Sequence, residues 1–87
     1  MALFILSYDL RKSREYQTLY DELEKFNAVR ILESLWCFDR INTNTEGLKN
    51  HFKQFIDKDD GLFVSQVAVI DGRNQWSTFN TDGTPKA

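Results

Sequence analysis

An almost continuous apolar run, ALFILSY, occupies residues 2 to 8 and ends at Asp9. A strand that is apolar on both faces is covered on both faces, so this run predicts a strand in the middle of a sheet. A second run, LFVSQVAVI at residues 62 to 70, predicts another strand. The chain has 87 residues. That is enough for one hydrophobic core but not for two, so we expect a single domain over residues 1–87.

Between these two runs the spacing of the apolar residues changes. Apolar side chains three and four residues apart predict one helix over 15–26 and a second that Thr43 or Asn44 caps. The intervening segment, NAVRILESLWCFDR, is rich in β-branched and aromatic residues and predicts antiparallel strands at 28–33 and 35–41. The order βαββαβ predicts a ferredoxin-like α+β sandwich, in which two helices cover one face of an antiparallel sheet.

The end of the chain is harder to place. DGRN predicts a turn, and QWSTF after it predicts a short edge strand or an arm, so the core covers about residues 2–70 and the arm about 71–87. The sheet face without helices needs a cover, which dimerisation commonly provides. The aromatic residues that we expect on that face are Trp36, Phe38, Trp76 and Phe79.

Charge and cysteine content limit the partners and the compartment. The net charge is −2, so any polyanion must be held by a local patch. The single cysteine, Cys37, cannot form an internal disulfide, and its strand position predicts a small buried hydrophobe. No apolar run has the length of a membrane span, and none has the pattern of a secretory signal peptide. We therefore expect a cytoplasmic protein without a membrane partner.

Familiar catalytic signatures are missing from the sequence. It has no phosphate-binding glycine loop, no paired cysteines, no zinc-type histidine spacing and no nucleophile elbow. His51 is the only histidine, and we expect it to flank a helix rather than to catalyse a reaction. The acidic group Asp57, Asp59 and Asp60 lacks the ligand spacing of a calcium loop and predicts a solvated turn.

Asp9 is the strongest candidate for chemistry. Tyr8 precedes it at the end of the predicted interior strand, and Arg11, Lys12 and Arg14 follow. A carboxylate can hold a hard divalent cation while arginines hold phosphate oxygens, so this pattern is typical of a phosphodiester site. A structural alternative is that Asp9 pairs with Arg11 or caps the first helix. One carboxylate alone binds magnesium poorly, but a two-fold dimer could supply a second Asp9.

Three segments together resemble a known family. FILSYDLRK, VRILESLWCF and DGLFVSQVA, within about residues 2–70, resemble the small CRISPR-associated Cas-two superfamily, especially its standalone SinR-like branch, and more distantly virulence-associated protein D. The resemblance implies a ferredoxin-like fold and a homodimer formed through the sheets. It also implies either a metal-dependent endonuclease or a scaffold that holds nucleic acid without cutting it.

The resemblance assigns roles to individual residues. It implies that Asp9 is the catalytic metal ligand for Mg²⁺ or Mn²⁺, and it places Arg11 and Arg14 in the basic segment that contacts phosphate. It also aligns a second set of residues with the arginine, serine and aromatic pattern of the second and third strands: Arg30 as a phosphate ligand, with Ser34 and Trp36 in support alongside Tyr8.

The sequence thus leaves three hypotheses. The first is a metal-dependent endonuclease that acts on RNA more readily than on DNA. The second is a dimeric scaffold that binds RNA or DNA. The third is a small dimer that binds another protein, in which Asp9 has only a structural role.

Overall fold

The computed structural model describes residues 2–11 and 16–81. Within these residues the chain is α+β, with an antiparallel four-stranded sheet, two α-helices and a C-terminal hairpin. The elements in chain order are β1 (Ala2–Asp9), α1 (Gln17–Lys25), β2 (Val29–Leu32), β3 (Leu35–Arg40), α2 (Thr45–Phe52) with a 3₁₀ turn at Lys53–Phe55, β4 (Gly61–Gln66), β5 (Val69–Ile70) and β6 (Arg73–Asn74).

The first apolar run forms an interior strand, as predicted. The strand order is β2-β3-β1-β4, and every neighbouring pair is antiparallel. Leu6 lies opposite Trp36 of β3 on one side and Val64 of β4 on the other. Both edges of β1 are therefore hydrogen-bonded, and Asp9 lies at the end of a strand that the sheet holds on both sides.

Alternate side chains of β1 pack against side chains of both helices and form the main core with them. This core buries apolar surface, and each fully buried leucine or phenylalanine contributes about 1.5–3 kcal/mol relative to an exposed one. Its buried members are Phe4, Leu6, Tyr8, Tyr16, Leu19, Leu23, Trp36, Phe38, Leu48 and Phe52. The expectation that Trp36 and Phe38 lie on the other face is therefore wrong, because both pack beneath the helices.

The opposite face of the sheet, called the second face here, carries a smaller core of Leu3, Ile31, Cys37 and Val67. Trp76 packs against this cluster, which confirms that it covers the face away from the helices. Phe79, in contrast, is 85% exposed and is not among the residues that pack against this cluster.

Local signals explain where the middle elements begin and turn. The side chain of Asn44 accepts a 2.8 Å hydrogen bond from the backbone N–H of Gly47, so Asn44 rather than Thr43 caps α2. The β2–β3 connection turns at Glu33 and Ser34, as predicted. A register shift between Arg30 and Leu32 follows the pairing of Arg30 with Trp36.

The second apolar run does not form one strand to residue 70. β4 ends at Gln66, and β5 and β6 then form a separate hairpin. Asp71 and Gly72 have φ angles of 53° and 75°, and two consecutive positive φ values are typical of the type I′ turn that suits a two-residue hairpin. QWSTF is not an edge strand. No helix in the described ranges is both long enough and apolar enough to cross a membrane.

Candidate functional site at the end of strand β1

Asp9 is the last residue of β1 and reaches the surface, where its side chain is 72% exposed. Its backbone is fixed by pairing with Gly61 of β4. The Arg11 Nε atom lies 3.2 Å from Asp9 Oδ2, and the Arg11 side chain is also exposed. The ion pair between Asp9 and Arg11, which the sequence suggested as a purely structural role for Asp9, therefore forms within one chain. Exposed pairs of this kind contribute about 0–1 kcal/mol, so a ligand can replace either partner at little cost.

Asp60 holds the chain just after Asp9, and sequence reasoning missed this role. Its Oδ1 accepts a 2.7 Å hydrogen bond from the backbone N–H of Arg11, and its Oδ2 accepts a 2.8 Å bond from the backbone N–H of Asp57. One carboxylate thus connects the exit of β1 to the loop that precedes β4. The acidic turn is present as predicted, but Asp60 within it positions the Asp9 segment.

Tyr8 lies behind Asp9 in a buried polar network. Its hydroxyl accepts a 3.0 Å hydrogen bond from Trp36 Nε1 and donates a 3.2 Å bond to the backbone carbonyl of Glu33. Burial raises the pKa of Tyr8, and the Trp36 hydrogen bond and the nearby charge of Arg30 partly oppose that rise. Tyr8 is therefore a neutral structural link between β1 and the β2–β3 turn.

Arg30 lies over two aromatic rings beside this network. Its Nε and Nη2 atoms donate to the Glu33 carbonyl at 3.0 and 2.6 Å. Its Cζ atom is 5.2 Å from the centroid of the Tyr20 ring and 5.4 Å from that of Trp36, which is cation–π distance. The guanidinium is therefore fixed in orientation before any ligand binds.

These side chains surround one open depression of about 310 Å³. Its lining residues are Tyr8, Asp9, Leu10, Tyr20, Arg30, Glu33 and Ser34. Four residues from the sequence prediction thus meet here, namely Tyr8, Asp9, Arg30 and Ser34. Trp36 lies beneath them through its bond to Tyr8, and Arg11 contacts Asp9. Arg14 and Lys12 lie outside the described residues.

No protein-family model matches this chain, and no solved structure matches it significantly. Function must therefore be inferred from the side chains around Asp9.

The oxygen atoms at the depression suit a hard cation in type but are few. Within residues 2–11 and 16–81, no group of three or more His, Cys, Asp or Glu side chains could hold a metal ion. Mg²⁺ commonly needs only one or two carboxylates, with water and substrate phosphate completing its shell. The exposed Asp9 carboxylate, with Glu33 and Ser34 lining the same depression, meets that lower requirement.

Cys37 and His51 have structural positions away from this depression. Cys37 is 1% exposed, and burial, with the negative charge of Asp39, raises the pKa of its thiol to about 11. The prediction of a small buried hydrophobe is confirmed. His51 Nε2 lies 2.6 Å from Glu22 Oε2, and its ring contacts Phe26, so it joins α2 to α1.

Proposed function

We propose that this protein is a Cas-two-like dimeric nucleic-acid-processing protein and that the Asp9 site makes it a metal-dependent endoribonuclease. The observation that carries the proposal is the position of Asp9. It is an exposed carboxylate at the end of an interior strand, with Arg11 on its carboxylate oxygen and Arg30 in the same depression. One cation ligand beside two phosphate ligands is a combination that can serve metal-assisted phosphodiester hydrolysis.

The topology supports the proposed ferredoxin-like fold. The strand order β2-β3-β1-β4 joins split βαβ units in which β3 lies between β1 and β2, and β1 lies between β3 and β4. Both helices share a core with the same face of β1. In this arrangement the C-terminal end of β1 lies next to the β2–β3 turn, where Asp9 and Ser34 line one depression.

The proposed cofactor is Mg²⁺ or Mn²⁺, which Asp9 would hold. Such an ion neutralises charge on a phosphate and lowers the pKa of a bound water. Arg11 is placed to exchange its exposed carboxylate partner for a phosphate oxygen. Arg30 is restrained by the Glu33 carbonyl and two rings, so it can orient a phosphate without a large loss of side-chain entropy.

A homodimer would complete the site, because one exposed carboxylate is a sparse ligand set. The second face, on which Asp9 lies, carries the partly buried apolar side chains Ile5 and Leu35. The nearby hairpin adds Val69 and Ile70, which are exposed. A second copy would bury this surface and bring two Asp9 carboxylates towards one another, where a shared cation would offset their repulsion.

Cleavage assays test the proposal directly. Wild type and Asp9→Asn are incubated with labelled single-stranded RNA and duplex DNA, with Mg²⁺, with Mn²⁺ and with EDTA. We expect metal-dependent cleavage of RNA that Asp9→Asn abolishes. Asp39→Asn, which removes an exposed carboxylate from β3, is the matched control and should cleave like wild type. Equal cleavage by wild type and Asp9→Asn would reveal a contaminant and overturn the proposal.

A second candidate is a dimeric scaffold that binds RNA or DNA without cutting it. The specific observation in its favour is that Arg11 already pairs with Asp9, which makes this carboxylate less available to a cation. Binding that persists in EDTA and falls steeply with salt, without cleavage on long incubation, would favour the scaffold. If neither nucleic acid binds at physiological salt, the net charge of −2 favours a protein partner instead.

A further inference from the structure

Asp9 and Arg11, which the proposed function assigns to a cation and to a phosphate, contact one another in the structure. Arg11 Nε lies 3.2 Å from Asp9 Oδ2. Each side chain is therefore the present partner of the other, and neither can bind its proposed ligand at full strength while the contact lasts. The ion pair thus competes with both ligands.

The approach to the Asp9 carboxylate is open, so this competition is electrostatic rather than steric. The Asp9 side chain is 72% exposed, and Ser7, Gly61 and Phe63 help to line a depression of about 240 Å³ beside it. A methyl group placed on Gly61 would lie 3.5 Å from Asp9 Cβ and 3.7 Å from Arg11 Nη2, which is ordinary contact distance. A cation can therefore reach Asp9 from this side, but there it meets the positive charge of the guanidinium.

Arg11 can release Asp9 without leaving the site, because its backbone is held independently of its side chain. The Asp60 carboxylate accepts a 2.7 Å hydrogen bond from the backbone N–H of Arg11. The Arg11 side chain, in contrast, is 61% exposed. The guanidinium can therefore turn towards a ligand while the backbone of Arg11 stays in place.

A phosphodiester is a stronger partner for Arg11 than Asp9 is in this geometry. The hydrogen bond to Asp9 uses Nε, and its length of 3.2 Å exceeds the about 2.7–2.9 Å of strong charge-assisted bonds. A phosphate can accept two parallel N–H bonds from one guanidinium, and this bidentate geometry adds both free energy and a fixed orientation. A phosphate that arrives should therefore draw Arg11 away and leave the Asp9 carboxylate open to a cation.

We infer that Arg11 makes the binding of a divalent cation and of a phosphodiester cooperative, by leaving Asp9 for the phosphate. The ion pair has to be broken only once for the two ligands together, so the ligand that binds first raises the affinity for the second. The inference rests on the proposed function, which supplies the cation at Asp9 and the phosphate at Arg11. It adds that the protein alone binds the cation weakly and binds it more tightly when the substrate is present.

Electron paramagnetic resonance of free Mn²⁺ measures cation binding without a cleavage readout. Mn²⁺ is titrated into wild type, Arg11→Ala, Asp9→Asn and Arg73→Ala, each alone and with an excess of a 2′-O-methyl uridine trinucleotide. Arg73→Ala is the matched control, because it removes an exposed arginine of β6 that is not among the residues lining either depression at Asp9. Circular dichroism confirms that each variant folds.

The nucleotide needs controls of its own. A trinucleotide with methylphosphonate linkages, which carry no charge, controls for contacts of the bases and sugars. A titration without protein gives the Mn²⁺ that the trinucleotide itself binds. Chromatography after each titration confirms that the trinucleotide is intact.

Without the trinucleotide, we expect Arg11→Ala to bind Mn²⁺ about two- to five-fold more tightly than wild type, the range that an exposed ion pair allows. The trinucleotide should raise the Mn²⁺ affinity of wild type, and by a larger factor than it raises that of Arg11→Ala. The methylphosphonate should give wild type no such gain. Arg73→Ala should match wild type in every titration, and Asp9→Asn should lose the bound Mn²⁺.

Equal Mn²⁺ affinity of wild type and Arg11→Ala, with an equal gain from the trinucleotide, would overturn the inference and leave the cation site at Asp9 in place. An equal rise in affinity for Arg73→Ala would show a general charge effect and would also overturn it. Failure of the proposed function would look different. Neither wild type nor Arg11→Ala would then bind Mn²⁺, with or without the trinucleotide, or Asp9→Asn would bind it as wild type does.

Discussion

The carboxylate of Asp60 accepts a 2.7 Å hydrogen bond from the backbone N–H of Arg11, which lies 49 residues earlier in the chain. The same carboxylate holds the N–H of Asp57, and the next residue, Gly61, pairs with Asp9. Two neighbouring residues at the start of β4 thus hold Asp9 in position. Gly61 does so by pairing with Asp9 in the sheet, and Asp60 does so through its side chain. The candidate site therefore has a support that lies far from it in the sequence.

Removal of the Asp60 side chain should loosen this support. Asp60→Ala leaves two backbone N–H groups without their acceptor, and hydrogen bonds to charged groups are among the stronger ones, so we expect a loss of about 1–2 kcal/mol in the free energy of unfolding. Urea denaturation measures the loss. Amide hydrogen exchange should also show faster exchange at Arg11.

The control for Asp60→Ala is Glu24→Ala, which removes an exposed carboxylate from α1. It should change stability by less than about 0.5 kcal/mol. Unchanged exchange at the Arg11 amide in Asp60→Ala would contradict a supporting role for Asp60.

The elements of the sheet were predictable because their signals are local. The apolar run at residues 2–8 and the Glu33–Ser34 turn mark strands, and Asn44 marks the start of α2. Which face the helices cover was not predictable. Both sets of alternate side chains at the start of β1 are apolar, so the pattern does not say which set faces the helices, and the prediction for Trp36 is wrong for this reason.

The candidate site was predictable only in part, for a related reason. Asp9 and Arg11 are two residues apart, so their ion pair is visible in the sequence. The contact of Asp60 with Arg11 and the position of Tyr20 beneath Arg30 depend on chain closure across many residues. No local spacing encodes such contacts, so the sequence around Asp60 predicts only a solvated turn.

Tyr8 and Trp36 should be energetically coupled. Tyr8→Phe keeps the ring but leaves the buried Trp36 N–H without its acceptor, which costs about 1–3 kcal/mol. Replacing Trp36 with Phe as well removes the unpaired donor, so the double variant should be more stable than the sum of the two single losses indicates. A double-mutant cycle in urea measures the coupling. Strictly additive losses would mean that this hydrogen bond contributes little.

Glu22 contacts two side chains of different exposure, His51 and Lys25, which allows a direct comparison. It lies 2.6 Å from His51 Nε2 and 3.7 Å from Lys25 Nζ, and the Lys25 side chain is 75% exposed. Exposed pairs contribute little, so Lys25→Ala should cost less than about 0.5 kcal/mol. Glu22→Gln should cost about 1 kcal/mol, because it weakens the partly buried contact that joins the two helices. Thermal unfolding of both variants checks the order, and equal losses would contradict it.

Cys37 should make stability fall in alkaline solution. Burial raises the pKa of its thiol from 9.0 to about 11, so the folded state favours the protonated form more than the unfolded state does. The contribution of the buried, protonated thiol to the free energy of unfolding is complete below about pH 9. It is lost as the pH rises to 11, with about 1 kcal/mol lost by pH 10. Tyr8 titrates in the same direction from 10.0, so the comparison that isolates the thiol is wild type against Cys37→Ala.

In urea denaturation between pH 8 and pH 10, Cys37→Ala should start less stable, because it leaves a cavity, and should then lose less stability than wild type. The thiol of the native protein should also resist alkylation by iodoacetamide at pH 8 and react once urea exposes it. Rapid alkylation of the native protein, or parallel pH profiles for the two proteins, would show that the thiol is accessible and that burial of Cys37 does not control its ionisation.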